Sequence, residues 1–240
     1  TVPRKGEALC KFASYWFNTL QVKNHMLKVL GKDTMLVKKL EIIPVECVVR
    51  GYLYGTLFER VRKGDAKIPI EPILASKLPE PILDPTTKFE AKDRPINRAE
   101  VLSKGWMDER EFELVKTASI SIYESIAEKA DRAGFILADL KLEFAKEASG
   151  EILLADSIGP DEFRLWPKDK YVAGKSQESF DKQPIRDYLT QIGYKTKLDD
   201  AAAKGTSLPA PPSLPQNLIK ETTRRYIQAY EKIASRPFED

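Results

Sequence analysis

Residues 136–144 read Ile-Leu-Ala-Asp-Leu-Lys-Leu-Glu-Phe, and this short stretch decides the fold. From Ala138 onward, apolar and charged residues alternate strictly, which is the pattern of a β-strand whose two faces have different surroundings. One face carries two acids and a lysine: Asp139, Lys141 and Glu143. The opposite face is wholly apolar, so we predict a strand with one side in the core and the other side available for chemistry.

A second apolar run, residues 151–156, follows the turn residues Ala148, Ser149 and Gly150, which predicts a β-hairpin. If the turn centres there, Glu143 lies almost directly across from Asp156, with Cβ atoms about 4.5–5.5 Å apart. Two carboxylates at that distance repel unless a cation or a shared proton relieves them. Magnesium takes one or two carboxylates together with phosphate oxygens, so the hairpin suits a Mg-nucleotide. One alternative is that these charges alternate because they face water, and another is that the register differs by a residue or two, which would separate the two acids.

Three segments outside this hairpin are predicted to be helices. Apolar spacing predicts a helix over residues 6–20, and Asp108 with Glu111 forms a capping box for a second helix that ends at Gly134. Residues 217–235 form a third, amphipathic helix. Its docking residues are predicted to be Ile219, Tyr226, Tyr230 and Ile233.

The remaining segments are less regular. Residues 35–53 predict two strands, or a strand and a bend, interrupted by Pro44. Residues 67–95 contain several prolines and predict an extended surface loop, and residues 196–216 predict a loose connector.

Composition excludes several classes of protein. The chain has 240 residues, with 39 basic and 36 acidic side chains, and a net charge of +3, which is no electrostatic footprint for nucleic acid. No apolar run approaches the roughly 18 residues of a membrane span. Cys10 and Cys47 lie among apolar residues, so we predict buried thiols and a cytoplasmic protein. A single His makes a His-rich metal site improbable.

Two cations follow the hairpin at a spacing that places them together. Lys182 and Arg186 are four residues apart and would share one helix face. Taken singly, each is a solvated surface charge. Their position soon after the acidic hairpin favours a site for anionic groups.

Four stretches, in order along the chain, resemble segments of the SAICAR synthetase family: residues 43–52, 136–144, 154–166 and 179–183. The likeness runs from about Lys5 to about Ser235. It implies a two-lobed α+β fold with an ATP cleft between the lobes. Residues 1–48 would be the remainder of an N-terminal nucleotide-binding lobe, and residues 49–240 the lobe that binds substrate and metal.

The resemblance also implies the reaction. ATP, carboxyaminoimidazole ribonucleotide and L-aspartate would give SAICAR, ADP and phosphate through an acyl phosphate, a ligase step of purine biosynthesis. ATP activation makes physical sense because a carboxylate is a poor electrophile toward amines. Catalysis then consists largely of positioning and charge neutralisation.

Roles follow for the matching residues. Glu143 and Asp156 would hold magnesium, and Lys141 would lie near the transferring phosphate of ATP. Asp139 would orient a substrate or take a proton from the aspartate amine, and Glu46 would lie near the adenosine. The residues expected to bind substrate are Arg50, Thr56, Asp161, Arg164, Gln177, Lys182 and Arg186. Trp16, Tyr52 and Trp166 are assigned to packing.

Two departures from the family pattern stand out. Ser157 occupies a position where the family usually has Glu, which would weaken the metal site if that acid helps to organise magnesium. The chain also starts at the family's first helix, without the glycine- and lysine-bearing loop over the ATP phosphates. We expect that the sequence omits residues, in preference to a degenerate form that has lost part of its nucleotide lobe.

Two rival functions are carried forward. One is a small-molecule kinase of related architecture, which would need no aspartate. The other is a nucleotide-binding protein descended from the family. Self-association is left open.

Overall fold

The computed structural model describes residues 2–90 and 93–239. Its helices are α1 Lys5–Thr19, α2 Gly55–Lys63, α3 Arg98–Ser103, α4 Glu109–Arg132, α5 Gln183–Gln191, α6 Tyr194–Lys204 and α7 Gln216–Ala234. Its strands are β1 Met26–Gly31, β2 Thr34–Val37, β3 Glu41–Tyr52, β4 Lys77–Leu83, β5 Thr86–Thr87, β6 Phe135–Lys146, β7 Ile152–Ala155 and β8 Phe163–Pro167. The α+β class is confirmed, as are the hairpin of β6 and β7 and the helices at both ends.

One antiparallel sheet organises the molecule. Its main path runs β4-β3-β6-β7, with β5 paired to β3 and β8 paired to β6, while β1 and β2 form a separate hairpin. Apolar residues of β3 and β6 share one core with α1, α4 and α7. That core covers one face of the sheet, and the other face carries polar side chains together with a smaller apolar cluster of Ala75, Ile136, Ala138 and Trp166.

Most of the predicted helix ends and buried positions are confirmed. Asp108 and Glu111 form the complete capping box of α4, and α4 ends just before Gly134, whose φ of 82° suits a glycine. In α7, Tyr226, Tyr230 and Ile233 are buried against the core, whereas Ile219 is only half-buried. Trp16 and Trp166 are packing residues, with 0% and 1% of their surface exposed. Both cysteines are buried free thiols.

Two segments predicted to be irregular contain regular structure. Residues 67–95 include β4 and β5, and β4 lies at the sheet edge, where Pro79 and Pro81 need not donate to a neighbouring strand. Residues 196–216 begin inside α6, which ends at Gly205 with a φ of 62°. The prolines of β4 made this edge strand resemble a loop in the sequence. Of the expected connector, only the second half is irregular.

A β-bulge sets the orientation of β6. Pairing with β8 shifts between Leu137 and Asp139, so one residue is added on β6 there. Leu137 upstream and Leu140 downstream therefore both face the main core, although strict alternation would place them on opposite sides. The predicted alternation holds from Asp139 to Phe144 and fails upstream of the bulge.

Candidate active site

The polar face of the sheet is built by the register of β3 against β6. Glu46 pairs with Glu143, Val48 with Lys141, and Arg50 with Asp139. Directly paired residues point to the same side. Three residues from β6 and two charged residues from β3 thus share one patch: Asp139, Lys141, Glu143, Glu46 and Arg50.

At one end of this patch lies the arginine network, which we define as Arg50, Arg60, Arg164, Asp84 and Asp139. Arg50 donates from Nε to Asp84 Oδ2 at 2.9 Å and from Nη1 to Asp139 Oδ2 at 3.3 Å. Arg60 Nη2 donates to Asp84 Oδ1 at 2.5 Å, and Arg164 Nη1 donates to Asp139 Oδ2. Each carboxylate is therefore bracketed by two guanidinium groups.

The arginine network is buried and closely supported. Arg50 is 6% exposed and Asp139 is 8% exposed. Arg50 Nη2 also donates to the Thr56 hydroxyl at 3.0 Å, so the predicted pair of Arg50 and Thr56 is brought together. The Arg164 guanidinium lies 4.9 Å from the centre of the Tyr54 ring, a cation–π contact that fixes its plane.

Next to Arg50, Gly51 is required by close packing. A Cβ atom at this position would lie 1.8 Å from the Tyr123 hydroxyl oxygen. That hydroxyl donates to the Leu137 carbonyl at 2.7 Å, beside the bulge. Any larger residue would displace either this bond or the strand that carries Arg50.

At the other end lies the carboxylate cluster, defined as Glu46, Glu143, Asp156, Lys88 and Lys141. The Lys141 ammonium contacts all three acids, with Nζ–O distances of 3.0 Å to Asp156 and 3.6 Å to Glu46 and a short bond to Glu143. Lys88 Nζ contacts the second oxygen of Glu143 at 2.6 Å. Burial acts to lower the pKa of Lys141, but its carboxylate neighbours outweigh burial and raise it. Lys141 is therefore a fixed positive charge.

The hairpin register differs by one residue from the prediction. Glu143 pairs with Ala155, not with Asp156, because β6 and β7 are closed by a loop that leaves Lys146 opposite Ile152. Asp156 follows the strand with a φ of 60°, and its carbonyl lies 3.0 Å from Nε2 of His25. This left-handed turn still directs Asp156 to Lys141, so the two predicted metal ligands share one cation.

The cluster fits magnesium only as a partner of phosphate. Among the described residues, no group of three or more His, Cys, Asp or Glu side chains is arranged to hold a metal ion. Glu143 and Asp156 supply hard oxygen donors of the type that magnesium prefers, and two such donors suffice when phosphates supply others. The donor set is therefore suitable for Mg-nucleotide and unsuitable for a metal held by protein alone.

The loop between β7 and β8 places Asp161 beside Lys182. Lys182 Nζ donates to the Asp161 carbonyl, and Asp161 Oδ2 contacts Lys5 Nζ at 2.7 Å. Burial lowers the pKa of Lys182, and the nearby Arg186 lowers it further. The Arg186 side chain has no hydrogen bond or ion pair within the described parts of the chain. Both cations lie at the start of α5, with Lys182 as its N-cap residue and Arg186 in the first turn, and their joint role in binding anions stays a prediction.

Gln177 is the exception among the predicted site residues. Its amide bonds to Val172 and Lys175 within its own loop, with Nε2–O distances of 2.6 and 2.7 Å. No described contact joins it to the charged patch. Its role in substrate binding stays a prediction.

Sequence reasoning missed several residues of the site. Asp84 and Lys88 follow the edge strand β4, and Arg60 lies on α2, where their charges look like ordinary surface residues. Asp181 was read only as part of a motif, yet it is 3% exposed, and burial raises its pKa to about 6 although Arg164 opposes the change. Burial also raises the pKa of Glu162 to about 7, and its Oε2 has no hydrogen-bond partner within the described residues.

Known proteins resemble this chain in sequence and in fold. Residues 1–201 match the family model described as SAICAR synthetase. The phosphoribosylaminoimidazole-succinocarboxamide synthase of Nitrosopumilus maritimus is 49% identical, and the match covers 98% of this chain and 85% of that protein. The enzyme of the same name from Corynebacterium efficiens is 37% identical, with coverage of 99% and 80%.

Solved structures with a similar fold carry the same family name. The SAICAR synthase of Saccharomyces cerevisiae, solved with SAICAR, superposes with a TM-score of 0.81 at 28% identity, covering all of this chain and 84% of that one. A SAICAR synthetase in complex with ADP superposes with a TM-score of 0.71 at 25% identity, with coverage of 98% and 83%.

Proposed function

The chain belongs to the SAICAR synthetase family, and we propose that the arginine network and the carboxylate cluster together form its active site. The protein is an ATP-dependent ligase of purine biosynthesis. The kinase and the non-catalytic alternatives are not favoured, because relatives that match nearly the whole chain carry the ligase name.

One observation carries the assignment of the site. The arginine network joins three guanidinium groups to two carboxylates, a surplus of one positive charge. The carboxylate cluster joins three carboxylates to two ammonium groups, a surplus of one negative charge. A cation-rich end suits an anionic ribonucleotide, and an acid-rich end suits the magnesium of a nucleotide.

The ligase reaction needs two steps. The carboxylate of carboxyaminoimidazole ribonucleotide attacks the γ-phosphorus of ATP, giving an acyl phosphate and ADP. The amine of L-aspartate then attacks the acyl carbon, phosphate leaves, and the amine loses one proton. Both steps gather negative charge in one place, so fixed cations at the reacting groups lower the barrier.

The arginine network and its neighbours serve the ribonucleotide. Arg50 and Thr56 present donors for its phosphate, and Arg164 presents a planar fork for its carboxylate. Asp139 holds both guanidinium groups through Oδ2. Its other oxygen is suited to orient the aspartate amine.

The carboxylate cluster serves ATP. Lys141 donates to the transferring phosphate, and Glu46 lies toward the adenosine side. Glu143 and Asp156 would hold magnesium, which when bound neutralises phosphate charge. Lys182 and Arg186 face further anionic groups of the substrates.

Other assignments belong to this proposal. Residues 1–48 would be the remainder of a nucleotide-binding lobe, residues 49–240 would be the lobe that binds substrate and metal, and the protein would act in the cytoplasm. No helix within residues 2–90 and 93–239 is both long enough and apolar enough to cross a membrane. Self-association remains to be measured by light scattering.

Phosphate release tests the proposal directly. The purified protein, together with any residues that precede Thr1, is mixed with ATP, the imidazole ribonucleotide and L-aspartate, and each is omitted in turn, with and without magnesium. We expect phosphate only when all three substrates and magnesium are present. Formation of ADP without aspartate would favour a kinase, and no release from the complete mixture would refute the proposed substrates.

A further inference from the structure

Asp161 is held from two sides by residues that lie outside the predicted substrate-binding and metal-binding sets. Lys5, at the start of α1, contacts Oδ2 at 2.7 Å, and the Tyr226 hydroxyl of α7 donates to Oδ1 at 3.2 Å. With each oxygen bound to a different helix, the carboxylate cannot rotate about its Cβ–Cγ bond. A carboxylate has about four acceptor sites, so two remain for a ligand.

Tyr226 is placed to act only through this contact. Its side chain is 1% exposed, so the ring lies within the core and the hydroxyl alone reaches the site. Burial raises the pKa of Tyr226, and Asp161 raises it further, which keeps the phenol protonated and therefore a donor. A protonated donor of fixed position is what a carboxylate of fixed orientation requires.

Arg225, which precedes Tyr226 on α7, contacts a second segment of the site. Arg225 Nη1 donates to the Ser179 carbonyl, and Arg225 Nη2 contacts Glu178 at 3.1 Å. Residues 178–182 lead directly to Lys182, which itself bonds the Asp161 carbonyl. One turn of α7 therefore supports both segments that carry the predicted substrate residues Asp161 and Lys182.

We propose that Tyr226 is a positioning residue of the ligase, which fixes the Asp161 carboxylate from α7 for contact with the imidazole ribonucleotide. Lys5 has the same role from α1. The inference rests on the proposed role of Asp161 in substrate binding. It adds that the C-terminal helix, which touches no substrate, sets the affinity for one substrate in particular.

Tyr226→Phe tests the inference because it removes one oxygen and keeps the ring. Without this bond, the Asp161 carboxylate loses one of the two contacts that fix its orientation toward a ligand. We expect KM for the imidazole ribonucleotide to rise about tenfold or more, with KM for ATP within about twofold of wild type. The matched control is Tyr230→Phe on the same helix, which is 5% exposed and packs against Phe12 and Phe238.

A double-mutant cycle separates positioning from a general loss of structure. If Tyr226 acts through Asp161, adding Tyr226→Phe to Asp161→Asn should cause little further rise in KM. Equal rises in KM for ATP and the ribonucleotide, or full additivity in the cycle, would overturn the inference. Should Tyr226→Phe fail to fold, Lys5→Met supplies the same test from α1, with Lys220→Met as its exposed control.

The outcome is distinguishable from failure of the proposed function. A wild-type protein that releases no phosphate with all substrates present refutes the function. Normal wild-type turnover together with identical kinetics for Tyr226→Phe and Tyr230→Phe refutes only the positioning role.

Discussion

The arginine network and the carboxylate cluster are both centred on the polar face of β3 and β6, yet they carry opposite surplus charge. In the first, Asp84 and Asp139 are each shared by two arginines, and the members are largely buried. In the second, Lys141 is shared by three acids, and Asp156 keeps 38% of its side chain exposed. The difference shows how one sheet can present an anion site and a cation site a few residues apart.

The paired strands alone explain part of this arrangement. Like charges directly across a strand pair are destabilising, and Glu46 stands opposite Glu143. Opposite charges are favourable, and Arg50 stands opposite Asp139. Paired charges of opposite sign therefore stabilise the sheet at the arginine network. In the carboxylate cluster, the repulsion between the acids is offset by Lys141, Lys88 and any cation that a ligand brings.

Glu143→Gln would remove the surplus of the carboxylate cluster and should have the largest effect. With two carboxylates left against two ammonium groups, the attraction for a nucleotide-bound cation falls. We expect turnover to drop by about 100-fold or more, as for loss of one preorganised electrostatic group. Phosphate release over a magnesium titration measures it.

The control for that variant is Glu147→Gln. Glu147 pairs with Lys38 at 2.6 Å, outside the carboxylate cluster. Its replacement should leave turnover within about twofold of wild type. Comparable losses in both variants would show that total acidity matters and not the cluster.

Arg164→Lys would keep the charge surplus of the arginine network but lose the planar fork. We expect kcat/KM for the imidazole ribonucleotide to fall about tenfold to 100-fold, because an ammonium cannot bind a carboxylate in two-pronged fashion or stack on Tyr54. Steady-state kinetics with each substrate varied measures the change. Arg62→Lys, on the exposed side of α2, is the control. Unchanged kinetics in Arg164→Lys would mean that charge alone suffices at this end.

These two regions differ in how far the sequence revealed them. Alternation predicted that Asp139, Lys141 and Glu143 share a face, since a strand's period depends on local sequence. Family motifs located Arg50 and Arg164. Neither source could pair Glu143 with Ala155, because register is set by the length of the connecting loop.

The supporting residues were invisible for a different reason. Asp84 and Lys88 come from the loops that follow the edge strand β4, and Arg60 comes from a short helix, so only the tertiary fold brings them to the patch. Prolines in β4 made that edge strand resemble a loop. Composition likewise could not reveal Asp181 as a buried acid or Glu162 as a partly buried one.

Of these variants, Glu162→Gln should have the smallest effect on turnover. Its main effect should be on the free energy of unfolding. Glu162 lies behind the carboxylate cluster, and burial first, then Asp156, raises its pKa to about 7. An unfolded glutamate has a pKa of about 4.3. The folded chain therefore holds this proton more tightly, and wild type loses stability as the pH rises from about 4 to about 7.

Glutamine stays neutral throughout that range, so the variant escapes the loss. We expect Glu162→Gln to match wild type near pH 4 and to exceed it at pH 8 by at most about 4 kcal/mol, the value of the pKa difference at about 1.4 kcal/mol per pKa unit. Urea unfolding at a series of pH values measures the gap, and Glu59→Gln, exposed on α2, is the control. A gap that stays constant with pH would mean that Glu162 is already ionised, with its unpaired oxygen relieved by water. The negative surplus would then be larger than the carboxylate cluster alone, because a fourth acid would add its charge from behind.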